Sequence, residues 1–115
     1  MGTPAGRSLL RRADRLRSAK DFQRLNRAGE RRRSAHFVVL VGPGRDPERT
    51  RLGLTVSRRV GGSVERNRVK RRVREWFRRH RARLPQGRDV VVIARAGAAE
   101  LDGVAVCREL GEALR

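Results

Sequence analysis

The residues of this chain with the clearest chemistry are cations set close together. A glycine turn, Gly61-Gly62-Ser63, runs into a stretch that carries Arg66, Asn67, Arg68, Lys70, Arg71 and Arg74. If a helix begins at that turn, its first backbone N–H groups are unpaired and its positive dipole end faces outward, a setting that favours an anion. Two cations in a first turn, Arg66 and Arg68, oppose that dipole by about 0.3–1 kcal/mol. Their placement makes sense where a phosphate completes the site, and guanidinium forks match phosphate geometry. On composition alone a plain strand-to-helix loop accounts for the two glycines equally well.

Catalytic chemistry has no such support. A protein-borne nuclease needs clustered carboxylates to hold Mg²⁺, or a histidine acid–base pair. The acidic residues are scattered, and Glu109 and Glu112 read as the solvent side of an ordinary helix. His36 and His80, the only histidines, have no Cys, His or carboxylate at ligand spacing and read as structural. No catalytic residue and no metal ligand is therefore expected. Cys107 is the single cysteine, which excludes an internal disulfide and suggests a buried thiol.

The elements that must position the cations follow from periodicity. On a helical wheel started at Val69, the residues Val73, Trp76, Phe77, His80 and Leu84 fall within roughly 100° of one another, the apolar stripe of a helix packed on a sheet. The opposite arc carries Asn67, Lys70, Arg71, Arg74, Arg78 and Arg81. Arg66, Lys70, Arg74 and Arg78 follow one another at i,i+4, and their mutual repulsion costs roughly 1 kcal/mol in all. Burying Val69, Val73, Trp76 and Phe77 at about 1.5–3 kcal/mol each outweighs it, so the helix forms despite its charge. Arg66 lies inside the apolar arc, so either the helix starts later or its first turn overhangs the sheet.

Upstream, residues 1–17 read as a basic, aperiodic arm, and residues 18–115 as one domain. Ser18-Ala19-Lys20-Asp21 fits a capping box with Asp in place of Glu, starting a short helix that Gly29 stops, with Phe22 and Leu25 on one side. The run His36 to Val41 reads as a strand covered on both faces. Arg51 to Ser57 alternates: Leu52, Leu54 and Val56 face the core, while the small Gly53, Thr55 and Ser57 leave a shallow opposite surface. After the arginine helix, Asp89 to Ala94 forms a further strand in the same sheet, and Asp102 caps a last helix with Val106, Leu110, Ala113 and Leu114 inward.

Thirty Lys+Arg against twelve Asp+Glu give a net charge of +18. Much of the arginine total is attributable to GC-rich coding, but that does not place it on one helix face. Such a field favours nucleic acid or an anionic membrane. No apolar run approaches the roughly 18–20 residues of a membrane span and no secretory leader pattern is present, so a cytoplasmic protein with no membrane partner is the expectation.

Ser57 to Arg74 as a whole resembles the arginine–asparagine–arginine signature of the bacterial ribonuclease P protein component. The flanks agree: Arg15-Leu16, Asp21-Phe22, Gly29, Phe37-Val38, Leu52-Gly53-Leu54 and Asp89 to Arg95. The resemblance implies an α/β two-layer sandwich in the order α-β-β-β-α-β-α, with a four-stranded sheet, a left-handed crossover as in a ribosomal-protein relative, and a short extra strand near Arg31 to Ala35. It implies that Arg66, Asn67, Arg68, Lys70, Arg71 and Arg74 contact the catalytic ribonuclease P RNA, with Gly61, Gly62 and Ser63 at a phosphate. Phe22, Thr55, Ser57, Arg58 and Arg59 would line a cleft for the 5′ leader of precursor tRNA. It implies too that catalysis resides in the RNA, that Mg²⁺ is used through that RNA and no cofactor binds the protein alone, and that the protein itself is monomeric. Asn26 and Leu40 stand where members often carry aromatics, and Gly62-Ser63 where Asn-Ala is usual. The alternative is a ribosomal or general RNA-chaperone protein, to which the charge applies equally.

Overall fold

A computed structural model describes residues 15–16, 18–84 and 86–114. Its elements run in the order α1 (Ala19–Ala28), β1 (Glu30–Arg33), β2 (Phe37–Pro43), β3 (Arg51–Val56), α2 (Ser63–His80), β4 (Arg88–Ala94) and α3 (Gly103–Ala113), with single 3-10 turns at Arg81–Arg83 and Ala98–Glu100. One four-stranded sheet is ordered β1-β2-β4-β3. β4 pairs antiparallel with β2 and parallel with β3, so β3, α2 and β4 form the expected crossover unit. The extra strand begins at Glu30, slightly earlier than the resemblance implied, and pairs with β2 in a hairpin.

The long helix forms where its apolar stripe indicates. Val69, Val73, Trp76 and Phe77 are buried, and with Val106, Leu110 and Ala113 of α3 they close over Phe37, Val39, Leu52, Val90 and Val92. Trp76 and Phe77 meet at a tilt, with centroids 6.3 Å apart. His80 stacks on Trp76 and its Nδ1 lies 2.9 Å from the Trp76 carbonyl, a structural role as expected. α3 starts where Asp102 accepts from the Ala105 N–H at 2.8 Å.

The other face of the sheet is covered only in part, by α1. Leu25 sinks into a small cluster with Leu16, Val38, Leu40 and Val91. Glycine makes the close approach possible: a Cβ at Gly42 would stand 2.7 Å from Leu25, and one at Gly53 would stand 2.8 Å from the Phe22 ring. Ser18 caps α1 by accepting from Lys20 N–H, but Asp21 does not complete a capping box. Asp21 is instead buried, and pairs with Arg24 and Arg45 at 3.0 Å each.

Residues 1–14 and 17 of the expected arm lie outside the described residues. At Arg15 and Leu16 the chain is already part of the fold: Arg15 bridges to Leu52 on the free edge of β3, and the Leu16 N–H donates to the Leu52 carbonyl at 2.8 Å. Leu16 is buried because Gly53 leaves room beneath it. Two further expectations are corrected. Glu109 is not on the solvent side but folded under the β1–β2 turn, accepting from Ser34 Oγ at 2.8 Å and His36 N–H at 3.0 Å, with His36 Nδ1 at 2.6 Å. Cys107 is only half-buried, and burial raises its thiol pKa.

Candidate nucleic-acid interface

A helix presents residues four apart as one line along its surface, and α2 sorts its cations into three such lines. Asn67 and Arg71 are exposed and point outward. Arg68 and Arg72 are half-buried and turn toward the segment before α3, where Arg72 donates to the Leu101 carbonyl and both line a groove with Glu100 and Asp102. Arg66, Lys70 and Arg74 are half-buried along the side nearest β3. The signature residues therefore surround the helix and do not form a single patch, and Arg68 stands apart from the others. Farther along, Glu75 accepts from Arg79 at 2.9 Å and also binds Arg78, which neutralises the basic line at its end. The hydrogen bond from Arg78, more than any other cause, holds the Glu75 carboxyl below the ordinary range.

Lys70 and Arg74 meet Arg15 around a cavity of about 300 Å³ floored by Leu16, Phe22, Leu52 and Leu54. Burial lowers the Arg74 pKa and the nearby Arg15 charge lowers it further, and among the described residues no carboxylate offsets this guanidinium. The Arg15 Nε is buried with no hydrogen-bond partner among the described residues. Three cations over an apolar floor form a place where a phosphate would gain charge-assisted hydrogen bonds and relieve repulsion.

At the entry to α2 the helix begins at Ser63 with Gly62 as its N-cap and no side-chain cap. Gly61 has φ of 154°, and a Cβ there would lie 2.7 Å from the Glu65 Cβ. The Glu65 side chain folds back over the turn, with its Oε1 3.1 Å from where a Cβ on Gly62 would be. The positive end of the helix is thus already faced by a carboxylate from its own first turn.

The sheet offers a second surface beside α1. Strand register aligns Gly53, Val91, Leu40 and Arg31 in one row across the four strands, and α1 covers it with Phe22 and Leu25, while Asn26 accepts from Arg31 at 2.8 Å. The next row on that face is Thr55, Ile93, Val38 and Arg33. Thr55 and Arg33 are exposed, Ile93 is half-exposed and Val38 is buried, so this row forms a shelf along the edge of α1 that is open at its two ends and at Ile93. Ser57, Arg58 and Arg59 follow β3 directly and are all exposed at the shelf's β3 end. Phe22 is half-buried: it packs on Gly53 and still lines the cavity of Arg15, Lys70 and Arg74. Of the small residues expected to leave a shallow surface on this face, Gly53 is not open, because Phe22 and Leu16 lie on it.

Ile93, Val38, Arg33 and the cavity role of Arg15 were not legible as site residues. Ile93 and Val38 belong to uninterrupted apolar runs, in which alternation cannot tell a covered position from an open one.

Comparison with known proteins places these features in context. A family model described as Ribonuclease P matches residues 10–115. The ribonuclease P protein component of Syntrophobacter fumaroxidans is 46% identical over 106 residues, which span 91% of this chain and 88% of that protein. The solved ribonuclease P protein of Staphylococcus aureus superposes with a TM-score of 0.81 at 32% identity, covering 90% of this chain and 94% of that one. The Thermotoga maritima ribonuclease P protein gives a TM-score of 0.77 at 36% identity, with 87% and 94% covered.

Proposed function

The chain belongs to the ribonuclease P protein family, and from that premise we propose that it binds the catalytic RNA through α2 and the 5′ leader of precursor tRNA on the shelf beside α1. In this reading the protein raises substrate affinity while the RNA subunit performs the cleavage. The observation that carries it is the cluster of Arg15, Lys70 and Arg74, half-buried and without an acidic partner among the described residues. Such a cluster is a standing cost in the free protein and becomes favourable when a phosphate backbone lies on it. Around the corner, the row Thr55-Ile93-Val38-Arg33 combines an aliphatic floor, the nearby Phe22 ring and basic ends. That combination suits a single strand, for which an aromatic platform contributes about 1–3 kcal/mol per base.

Among the described residues the donor set does not fit a protein-held Mg²⁺. Among the described residues no three His, Cys, Asp or Glu side chains gather. Asp21 and Asp89, linked through the arginines they share, are occupied by them. We propose that Mg²⁺ is used through the RNA subunit. Among the described residues no helix is long and apolar enough to cross a membrane.

Reconstitution tests the reading. The purified chain, combined with bacterial ribonuclease P RNA and precursor tRNA at low Mg²⁺, is expected to stimulate 5′ cleavage; absence of stimulation would sink the proposal. Arg74→Ala should weaken binding to the RNA subunit by about 1–3 kcal/mol, the range for losing charge-assisted hydrogen bonds. It should also reduce the slope of log K against log salt by roughly 0.7–0.9. An unchanged slope would remove Arg74 from the phosphate contacts.

A further inference from the structure

The one fully buried acid in the described fold lies away from α2. Asp89, at the start of β4, is 0% exposed. Its carboxylate accepts three hydrogen bonds: from Arg51 Nε at 3.0 Å and Arg51 Nη2 at 2.8 Å on neighbouring β3, and from Arg24 Nη2 at 2.7 Å on α1. Arg24 also donates to Asp21 at 3.0 Å and, through Nη1, to the Pro43 carbonyl at the end of β2 at 2.6 Å. One guanidinium thus joins α1 to two strands, and Asp89 joins those bonds to the third. Burial opposes the Arg24 charge, but the hydrogen bonds to Asp89 and Asp21 outweigh it and keep its pKa above the ordinary value.

Apolar contact alone does not orient α1. The helix has ten residues, and Leu25 is its only fully buried apolar side chain. A helix of that length is marginal by itself, and its apolar contacts, Leu25 and the half-buried Phe22 packed on Gly53, have no preferred direction. Side chains stand roughly 5–6 Å from the helix axis, so a 20° rotation moves Phe22 by about 2 Å. Productive placement of a recognition side chain tolerates about 0.5 Å. Asp21 and Arg24 flank Phe22 in sequence and are the points at which rotation is held.

We propose that Asp89, acting through Arg24, is a positioning residue for substrate: it fixes the rotation of α1 and so sets where the Phe22 ring stands beside the open row of the sheet. Asp89 is fully buried and touches no RNA. The proposal rests on the reading of that row as the leader surface, and it adds a residue that governs leader affinity from inside the protein.

The test uses holoenzyme reconstituted with wild-type, Phe22→Ala, Asp89→Asn or Arg24→Lys protein. Dissociation constants are measured for precursor tRNA and for the same tRNA without its leader. The ratio of the leaderless constant to the precursor constant reports the leader contribution, and a loss of folded protein affects both alike and cancels. Phe22→Ala is expected to lower the ratio roughly fivefold or more, the lower end of aromatic–base stacking. Asp89→Asn should lower it by a similar factor. Arg24→Lys, which keeps the charge but cannot reach three acceptors at once, should do the same, and should add little when combined with Phe22→Ala. If Asp89→Asn does not fold, Arg24→Lys and the double variant carry the test. A ratio lowered by Phe22→Ala but untouched by Arg24→Lys overturns the positioning role and leaves the leader reading intact. Independent, multiplying losses from Phe22→Ala and Arg24→Lys would also overturn it, because Arg24 would then act on RNA directly. A ratio unmoved by Phe22→Ala removes the leader reading itself.

Discussion

The two faces of the sheet are built on different principles. Beneath α2 and α3 lies a continuous apolar core with Trp76, Phe77, Phe37 and Leu110 fully buried, whereas beneath α1 five buried apolar residues give way to a network of two aspartates and three arginines. Apolar burial is proportional to area and has no preferred direction. Hydrogen-bonded ion pairs add little net stability after desolvation, but they are directional. The α2 and α3 face therefore supplies stability, and the α1 face supplies orientation while leaving part of the sheet uncovered.

The largest predicted effect separates these roles. Trp76→Ala should cost about 3–5 kcal/mol in denaturant unfolding, the range for removing a buried aromatic side chain. Leu25→Ala should cost about 2 kcal/mol, the low end for its class, because a short helix beside an open row can settle into the space. The order should reverse in the leader-dependent affinity ratio, where Leu25→Ala has the greater effect. Equal costs in unfolding would mean that the two faces share the stability evenly and would break the distinction.

A smaller effect tests the edge where the sheet is joined to α3. Burial raises the Glu109 pKa, but hydrogen bonds from His36 and Ser34 outweigh it and leave the carboxyl depressed below its ordinary value of 4.5. A depressed carboxyl contributes stability that is fully present above its unfolded pKa and is lost as pH falls through the folded one. Glu109→Gln should thus be less stable than wild type by about 1–3 kcal/mol near neutral pH. The gap should close on acidification below pH 4.5, as the wild-type carboxyl protonates. A gap of constant size from pH 7 to pH 3, followed by circular dichroism, would show that the charge of Glu109 is not what holds the turn.

The same contrast explains what the sequence disclosed. The scaffold face was legible because its rule is periodic: Val69, Val73, Trp76 and Phe77 mark the inner side of α2, and Val106, Leu110 and Ala113 that of α3. Ser18 and Asp102 marked helix starts because caps act over a few residues. The orientation network was invisible, since Arg24 and Asp89 are 65 positions apart and nothing local pairs them. Asp21 follows the same rule: a capping box is a local pattern, whereas Arg45 and Arg51, outside α1, hold its carboxylate. Glu109 had the spacing of a surface residue, yet its partners sit 73 and 75 positions away in the β1–β2 turn. The arginine signature pointed to α2, but the division of its cations into three lines became clear only once Arg15 was seen against Lys70 and Arg74.

The smallest predicted effect falls on the element that belongs to both regions. The inner side of α2 is core and its outer side is cationic, and at its first turn Glu65 leans over Gly61 and Gly62, where a phosphate would otherwise meet the helix end. A carboxylate in a first turn stabilises the free helix by about 0.3–1 kcal/mol and should oppose an incoming phosphate by a similar amount. Glu65→Gln should therefore lower stability in urea by about 0.3–1 kcal/mol while tightening binding to ribonuclease P RNA by a comparable amount, more visibly at low salt. Opposite signs in the two measurements would show that scaffold and recognition compete at this turn. A fall in both would mean instead that Glu65 holds the turn in the shape the RNA requires, and the Gly61-Gly62-Ser63 entry would then contribute geometry without a phosphate of its own.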